Sequence, residues 1–309
     1  MSTVTDIGLW GVPLAIIGGA IRVSTPFLFV SLGECLTERS GRINLGLEGI
    51  LVFGAMSGYA IAFETGSAWM GVLAAALAGA IFGLFHGWIC KFKGVNDIAI
   101  GIALMLLGMG LAFFFGKPYI QPVAPDLPAF SFGWWSDIPQ VQAALQVNAL
   151  FIIGAALAVG LAWMFRSTRV GLTIRVVGDS TDAARAIGLN PNTVRLLATA
   201  AGGALAGVGG AYLSLYYPGS WNEGVSSGQG LMAVALVIFA RWNPINCFWA
   251  ALLFGGAGAL GPALQSVGVT SGYYLFFAAP YVLTLGLLIL TSSPDKAMDG
   301  APGELSITK

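Results

Sequence analysis

Few residues in this chain have the type and spacing to do chemistry, and they point away from catalysis. His86 is the one histidine among 309 residues. A histidine-based triad or a multi-histidine zinc site is therefore not expected. His86 falls near the end of a Gly-rich apolar run, where a packing or headgroup role is expected. Gly110 to Lys117 has the outline of a phosphate loop but fails as one. The spacing is G-x5-GK, Pro118 stands where Ser or Thr belongs, and Leu-Ala-Phe-Phe-Phe lies between. The serines have no histidine or lysine base nearby in the pattern. Cys35, Cys90 and Cys247 are far apart and sit in or beside apolar runs. Buried thiols are expected there, not a disulfide or a zinc site.

Ionisable residues inside apolar runs are the better candidates, because a charge in lipid is costly and is kept for a reason. Glu48 is the clearest. It lies a turn inside a Gly-rich run, four residues after Asn44. Its carboxylate can accept from unwound backbone N–H groups or pair with Arg39 or Arg42, which makes it a candidate for a gate or path. A helix-end cap is the competing role. Arg22 is placed to snorkel, and Glu34 reads as an interface charge. Asn96-Asp97 opens a run, with Asp97 as a natural N-cap. Trp221, Asn222, Glu223, Ser226, Ser227 and Gln229 form a polar-aromatic stretch with the donors and acceptors that hydroxyl-rich sugars need and a face for nucleobases. An ordinary external loop has the same composition. The candidate path set is Asn44, Glu48, Asn96, Trp221, Asn222 and Gln229.

A polar stretch, Gly178 to Arg195, interrupts the apolar sequence. Asp179 or Ser180 can cap a helix start, Asp182 favours the positive end of its dipole, Gly188 suits the residue after its end, and Pro191 stops it. The expected helix, 179–188, is too short to be stable alone. Ala183, Ala184 and Ile187 make a small apolar stripe, with Asp182 and Arg185 off it. Two readings stand: a plug for another protein's groove, or a linker on the bilayer surface.

These residues must be positioned by membrane helices. Hydrophobic residues make up 57% of the chain and charged ones only 9%, with mean hydropathy +0.82. Such a chain cannot cover itself with polar surface and belongs in lipid. Its net charge is zero, which suggests no nucleic-acid partner. No Lys or Arg precedes the first apolar run, so it does not read as a cleaved signal peptide. Runs long enough to span, or nearly so, fall at 9–34, 45–64, 68–90, 97–116, 147–165, 194–216, 229–242, 245–264 and 271–291. The fold class is all-α, a polytopic membrane protein of about nine segments, between eight and ten. The 229–242 run is short, which suits a broken or re-entrant helix.

Arg39, Arg42, Lys91, Lys93, Arg166, Arg169, Arg175, Arg185, Arg195, Arg241, Lys296 and Lys309 all fall on one side of this alternation, and Lys117 on the other. The positive-inside rule then puts 179–188 and the C-terminus in the cytoplasm and the N-terminus outside. The spans of 9–116 can be laid over those of 194–291, with 147–165 between them, as an inverted repeat. Gly54/Gly58, Gly79/Gly83, Gly83/Gly87 and Gly203/Gly207 are G-x-x-x-G pairs that permit close helix packing. A long connection, 117–146, holds five prolines with Trp134 and Trp135. It reads as an interfacial anchor or as a docking surface for an extracytoplasmic partner.

Two motifs carry a resemblance. Asp182-Ala183-Ala184 with Gly188 resembles the EAA-x-x-x-G loop of ABC-importer permeases, with Asp for Glu. Gly33-Glu34 followed by Glu38-Arg39-Ser40-Gly41, Asn44-Leu45-Gly46 and Glu48-Gly49 resembles the GE…ERSG-x-xNLG-x-EG signature of their nucleoside and simple-sugar branch. The likeness extends from about Thr25 to Leu290. Ala240-Arg241 departs from the small Gly-rich turn common in that branch. The resemblance implies a type II ABC-importer-like permease, 1–309, in a bacterial-type inner membrane. Asp182, Ala183, Ala184, Arg185, Ile187 and Gly188 would be the coupling helix seated in an ATPase subunit, and Glu48 a gate or path residue. The implied partners are that ATPase, a second permease (a paralogue or a second copy) and an extracytoplasmic binding protein. No cofactor is implied on this chain; ATP-Mg would sit on the ATPase. The runner-up is an ATP-independent secondary transporter or facilitator.

Overall fold

The computed structural model describes residues 11–266, 276, 278–291 and 300–306. The described spans are helical, as expected of chain in hydrocarbon, where a helix satisfies its own backbone. The long helices are α1 (Gly11–Arg39), α2 (Leu47–Thr65), α3 (Ala68–Ile89), α4 (Asp97–Gly116), α6 (Ala149–Ser167), α9 (Pro191–Leu215) and α11 (Pro244–Ser266). Between them lie the short helices α5 (Pro139–Ala144), α7 (Arg169–Asp179), α8 (Thr181–Ala186) and α10 (Gln229–Phe239). α12 (Ala279–Thr291) and α13 (Gly303–Ser306) follow among the described residues.

Among the described residues, seven helices are long and apolar enough to cross a bilayer, where the sequence suggested about nine segments. α10 has 11 residues, or about 16 Å at 1.5 Å per residue, roughly half of a hydrocarbon core. The expected 271–291 span is described over α12, while 271–275 and 277 lie outside the described residues. α1 runs five residues past its expected end. The basic stretch after α6 is not a plain loop: α7 is an amphipathic helix that buries Gly171, Ile174 and Val177. The 117–146 connection contains an antiparallel pair, β1 (Ala129–Ser131) with β2 (Gln146–Asn148), in register Ala129↔Asn148. Trp134 and Trp135 stand exposed beside it.

α2 and α9 are the most enclosed spans and α4 the least. α9 crosses α1, α2 and α3, and α11 lies along α1. Glycines permit this. A side chain on Gly79 would overlap the Gly203 carbonyl, and one on Gly33 would overlap that of Gly202. The expected G-x-x-x-G residues lie on such contact faces, where close backbone approach supplies van der Waals attraction that lipid cannot.

The connections gather at two ends. At one, Arg42 pairs with Asp97 at 2.6 Å, the Arg39 Nε donates to the Trp242 carbonyl at 2.9 Å, and the Arg195 Nε donates to the Ser40 carbonyl at 3.0 Å. This basic end collects 39–42, 90–97, 177–195 and 241–242. At the other, the Tyr59 hydroxyl donates to the Pro122 carbonyl at 2.7 Å and the Trp221 Nε1 to that of Gly116 at 2.9 Å. Arg22, in the first span, reaches this end and donates to the Ala143 carbonyl of α5.

Candidate functional site

The stretch 179–188 forms a foot at the basic end. Ser180 is its N-cap, with Oγ accepting from the Ala183 N–H at 3.2 Å. Gly188 takes a left-handed φ of +82°, which closes the helix with bonds from Gly188 N to Arg185 O and Leu189 N to Ala184 O. That is the pattern glycine supplies at helix ends. The helix is six residues, shorter than the expected 179–188. Ala183, Ala184 and Ile187 do not share a packed stripe. Ala184 alone is buried, while Ile187 is 66% exposed, because the helix ends at Ala186 and Ile187 already leaves its path. Asp182, Ala183, Arg185, Ile187 and Gly188 therefore share the outward side, with a loose Asp182–Arg185 pair at 3.4 Å.

Arg195, at the start of α9, ties the foot to the bundle. Besides Ser40 it donates to the Val177 carbonyl at 3.3 Å and the Thr181 hydroxyl at 2.9 Å, and it pairs with Glu304 of α13 at 3.2 Å. Glu304 also accepts from the Thr181 N–H at 2.7 Å. Burial works against ionising Glu304, but the Thr181 bonds and the Arg195 charge outweigh it and hold the carboxyl below its ordinary value. Sequence reading counted Arg195 only as a basic loop residue and missed Glu304. The one signal was an acid in a polar tail that also holds Asp295 and Asp299.

A second junction lies at mid-depth. Leu45 to Gly49 packs on Gly101, Met105 and Gly108 of α4, about 6–16 Å along that helix from its start. Glu48 does not pair with Arg39 or Arg42. Its carboxylate accepts from the Ser226 hydroxyl at 2.5 Å and from the N–H groups of Gly228 at 3.0 Å and Gly230 at 2.6 Å. α10 has no side-chain cap of its own, so a residue of α2 caps it from across the bundle. The far end of α10 is held by α1: the Trp242 indole donates to Glu38, and Arg39 binds the Trp242 carbonyl. Both ends of α10 carry left-handed non-glycine backbone, at Ser227 (φ 47°) and at Arg241 and Trp242 (φ 52° and 53°). Such residues persist only where their surroundings hold them. The departure noted at Ala240-Arg241 thus falls on a turn that glycine would take freely.

The six path candidates do not form one cluster. Asn44 and Gln229 join Glu48 at mid-depth. The buried Asn44 Nδ2 and Gln229 Oε1 have no hydrogen-bond partner, while the Asn44 Oδ1 accepts from the Gly46 N–H at 2.9 Å. Asn96 lies at the basic end and, in place of Asp97, is the N-cap of α4, accepting from Ile98 and Ala99. Trp221 is buried at the opposite end, and Asn222 closes an exposed turn there onto Gly224. His86 is buried against the Asp97 carbonyl and Cys90. Gly110 to Gly116 is helix, so its N–H groups are spent on the helix. Among the described residues, no cluster of His, Cys, Asp or Glu could hold a metal ion.

A bundle of spans with a solvent-facing foot and a capped half-helix at mid-depth belongs to the class of membrane permeases. Residues 16–291 match the family described as the permease component of the branched-chain amino acid transport system, and the chain belongs to that family. It is 33% identical over 259 residues to TsgC13 of Haloferax volcanii, named as a candidate glucose ABC transporter permease, covering 82% of this chain and 79% of that one. It is 30% identical to the nucleoside ABC transporter permease NupC of Lactococcus lactis, covering 89% and 91%. It is 29% identical to the guanosine ABC transporter permease NupQ of Bacillus subtilis, covering 87% and 89%. The chain is a multi-pass, non-catalytic permease subunit of an ABC importer.

Proposed function

We propose that this chain forms part of the membrane path for nucleosides, with simple sugars as the related alternative, and that α8 is the coupling helix seated in a separate ATPase. The observation that carries the reading is the foot: a capped helix whose Asp182, Ala183, Arg185 and Ile187 point outward and whose base is bound to the spans by Arg195. The names of NupC and NupQ support the nucleoside. The basic residues gathered at the foot's end support a cytoplasmic foot and an external N-terminus.

Reciprocal packing supports an inverted repeat. α3 lies on α9 as α11 lies on α1, and α2 meets α9 as α10 meets α1. The junction at Glu48 then falls where the two copies face each other, the usual place for a solute path. ATP-Mg binds the partner ATPase. A second permease and an extracytoplasmic binding protein complete the importer. Closure of the ATPases moves α8, and Arg195 passes the motion to α9 and, through the Ser40 carbonyl, to the loop that ends at Glu48. α10, held by acids of α1 and α2, is the element that responds. A solute-loaded receptor shifts the equilibrium by binding one state better.

The test is uptake of labelled nucleosides and sugars by cells lacking this chain, rescued with wild type or Ile187→Arg. Wild type is expected to restore nucleoside uptake and Ile187→Arg to leave less than a tenth of it. Uptake that persists when the ATPase is disabled would instead establish a facilitator.

A further inference from the structure

We propose that the C-terminal segment 300–306 is a strap that binds α8 to the bundle as one moving body, with Glu304 as its positioning residue. This rests on the reading of α8 as the coupling helix. Glu304 bridges two groups that are far apart in sequence from it: the Thr181 N–H, at the first position of α8, and the Arg195 guanidinium, at the base of α9. The first N–H groups of any helix lack intrahelical partners. Ser180 supplies the Ala183 N–H, and Glu304 supplies that of Thr181.

The strap is seated on both sides of this bond. Leu305 is buried with Leu36, Ile174 and Trp242. Gly303 lies so close to the Asp179 carbonyl that an added Cβ would stand 2.5 Å from its oxygen. Gly300 turns with φ +89° beside the Arg241 carbonyl, at the end of α10. The strap therefore runs from the α10–α11 turn to the hinge between α7 and α8. Gly41, also left-handed, packs its Cα position against Arg195, Gly178 and Glu304 together. A cavity of about 530 Å³ flanks the node, between Gly41–Ile43 and Gly94–Ile98. The node is packed on the foot side and open on the other, so it can shift with α8 without tearing the core.

The full importer, reconstituted in proteoliposomes, tests this by the amount of labelled solute moved per ATP hydrolysed. Glu304→Ala is expected to co-purify with its partners and to lower that ratio at least threefold, with Glu304→Asp returning it to within twofold of wild type. Thr181→Pro removes the same N–H from the other side, along with the hydroxyl that Arg195 binds, and is compatible with the first helical position; Thr181→Val, which removes the hydroxyl alone, is the control. Thr181→Pro should lower the ratio more than Thr181→Val does, and the loss in the double variant, Glu304→Ala with Thr181→Pro, should be less than the sum of the single losses, as expected where the Thr181–Glu304 bond is common to both. Should Glu304→Ala not accumulate, Thr181→Pro against Thr181→Val decides. Wild-type ratios in the single variants, or fully additive losses in the double, overturn the strap. If Ile187→Arg abolishes transport while these variants do not, only the strap falls; if Ile187→Arg is also silent, the coupling reading itself falls.

Discussion

Glu48 shows how one side chain can be spent wholly on another helix. It is buried, and its two oxygens serve three donors of the segment 226–230. Hydrogen bonds to a charged group contribute about 1.5–3 kcal/mol each, and an orphaned buried N–H costs about 1–3 kcal/mol. Glu48→Ala is therefore expected to destabilise the purified protein by at least about 2 kcal/mol, seen as a lower unfolding midpoint, and to abolish uptake. Glu48→Gln, which keeps one acceptor, should fall between. Ala184 and Ile187 behave oppositely although both were assigned to the coupling surface. Ala184 faces the bundle, so Ala184→Arg should impair folding, whereas Ile187→Arg should leave the protein folded and prevent its co-purification with the ATPase. The sequence already marked Glu48 as an acid in an apolar run, but its partners lie about 180 residues away in a segment read as a loop mouth. No local pattern shows such a bond.

Among the elements, the strap and α7 carry the most consequence. Glu304 has a carboxyl held below its ordinary value of 4.5 by Thr181 and Arg195, against the effect of burial. Its contribution to docking is therefore complete above about pH 4.5 and is lost as the pH falls through the lower folded value. Hydrogen exchange of peptides 179–186 and 300–306, relative to α9, should accelerate on that acid side, and Glu304→Gln should show the faster exchange already at neutral pH. Equal protection of wild type and Glu304→Gln at every pH would contradict this. The long spans were legible because about twenty apolar residues have no other use. α7 was not, because Arg169 and Arg175 drew attention to charge and away from Gly171, Ile174 and Val177, spaced three apart on one face. The β1–β2 pair was also missed, since strands of three residues leave too little alternation to read.

At the scale of the whole molecule, the two-ended distribution of charge becomes an orientation that can be measured. Cys35, Cys90 and Cys247 are all buried. A cysteine introduced at Arg185, which is exposed, should then react with an impermeant reagent in inside-out vesicles and not in intact cells. Labelling from outside intact cells would reverse the topology and remove the ATPase from reach. The bundle's close crossings set a second limit. Gly79→Val or Gly203→Val would drive a side chain into a neighbouring backbone carbonyl, where relief requires the helices to part. Both should leave little folded protein in the membrane.

The borrowed cap on α10 also bears on biogenesis. Residues 226–239 cannot finish their helix with what the second half of the chain brings, because the carboxylate that closes it is synthesised first and waits in α2. Translated as a separate fragment, 169–309 should hold that segment unwound. Supplied in the same cell with 1–168, it should recover protease resistance there, so that the two halves complement each other as a split protein.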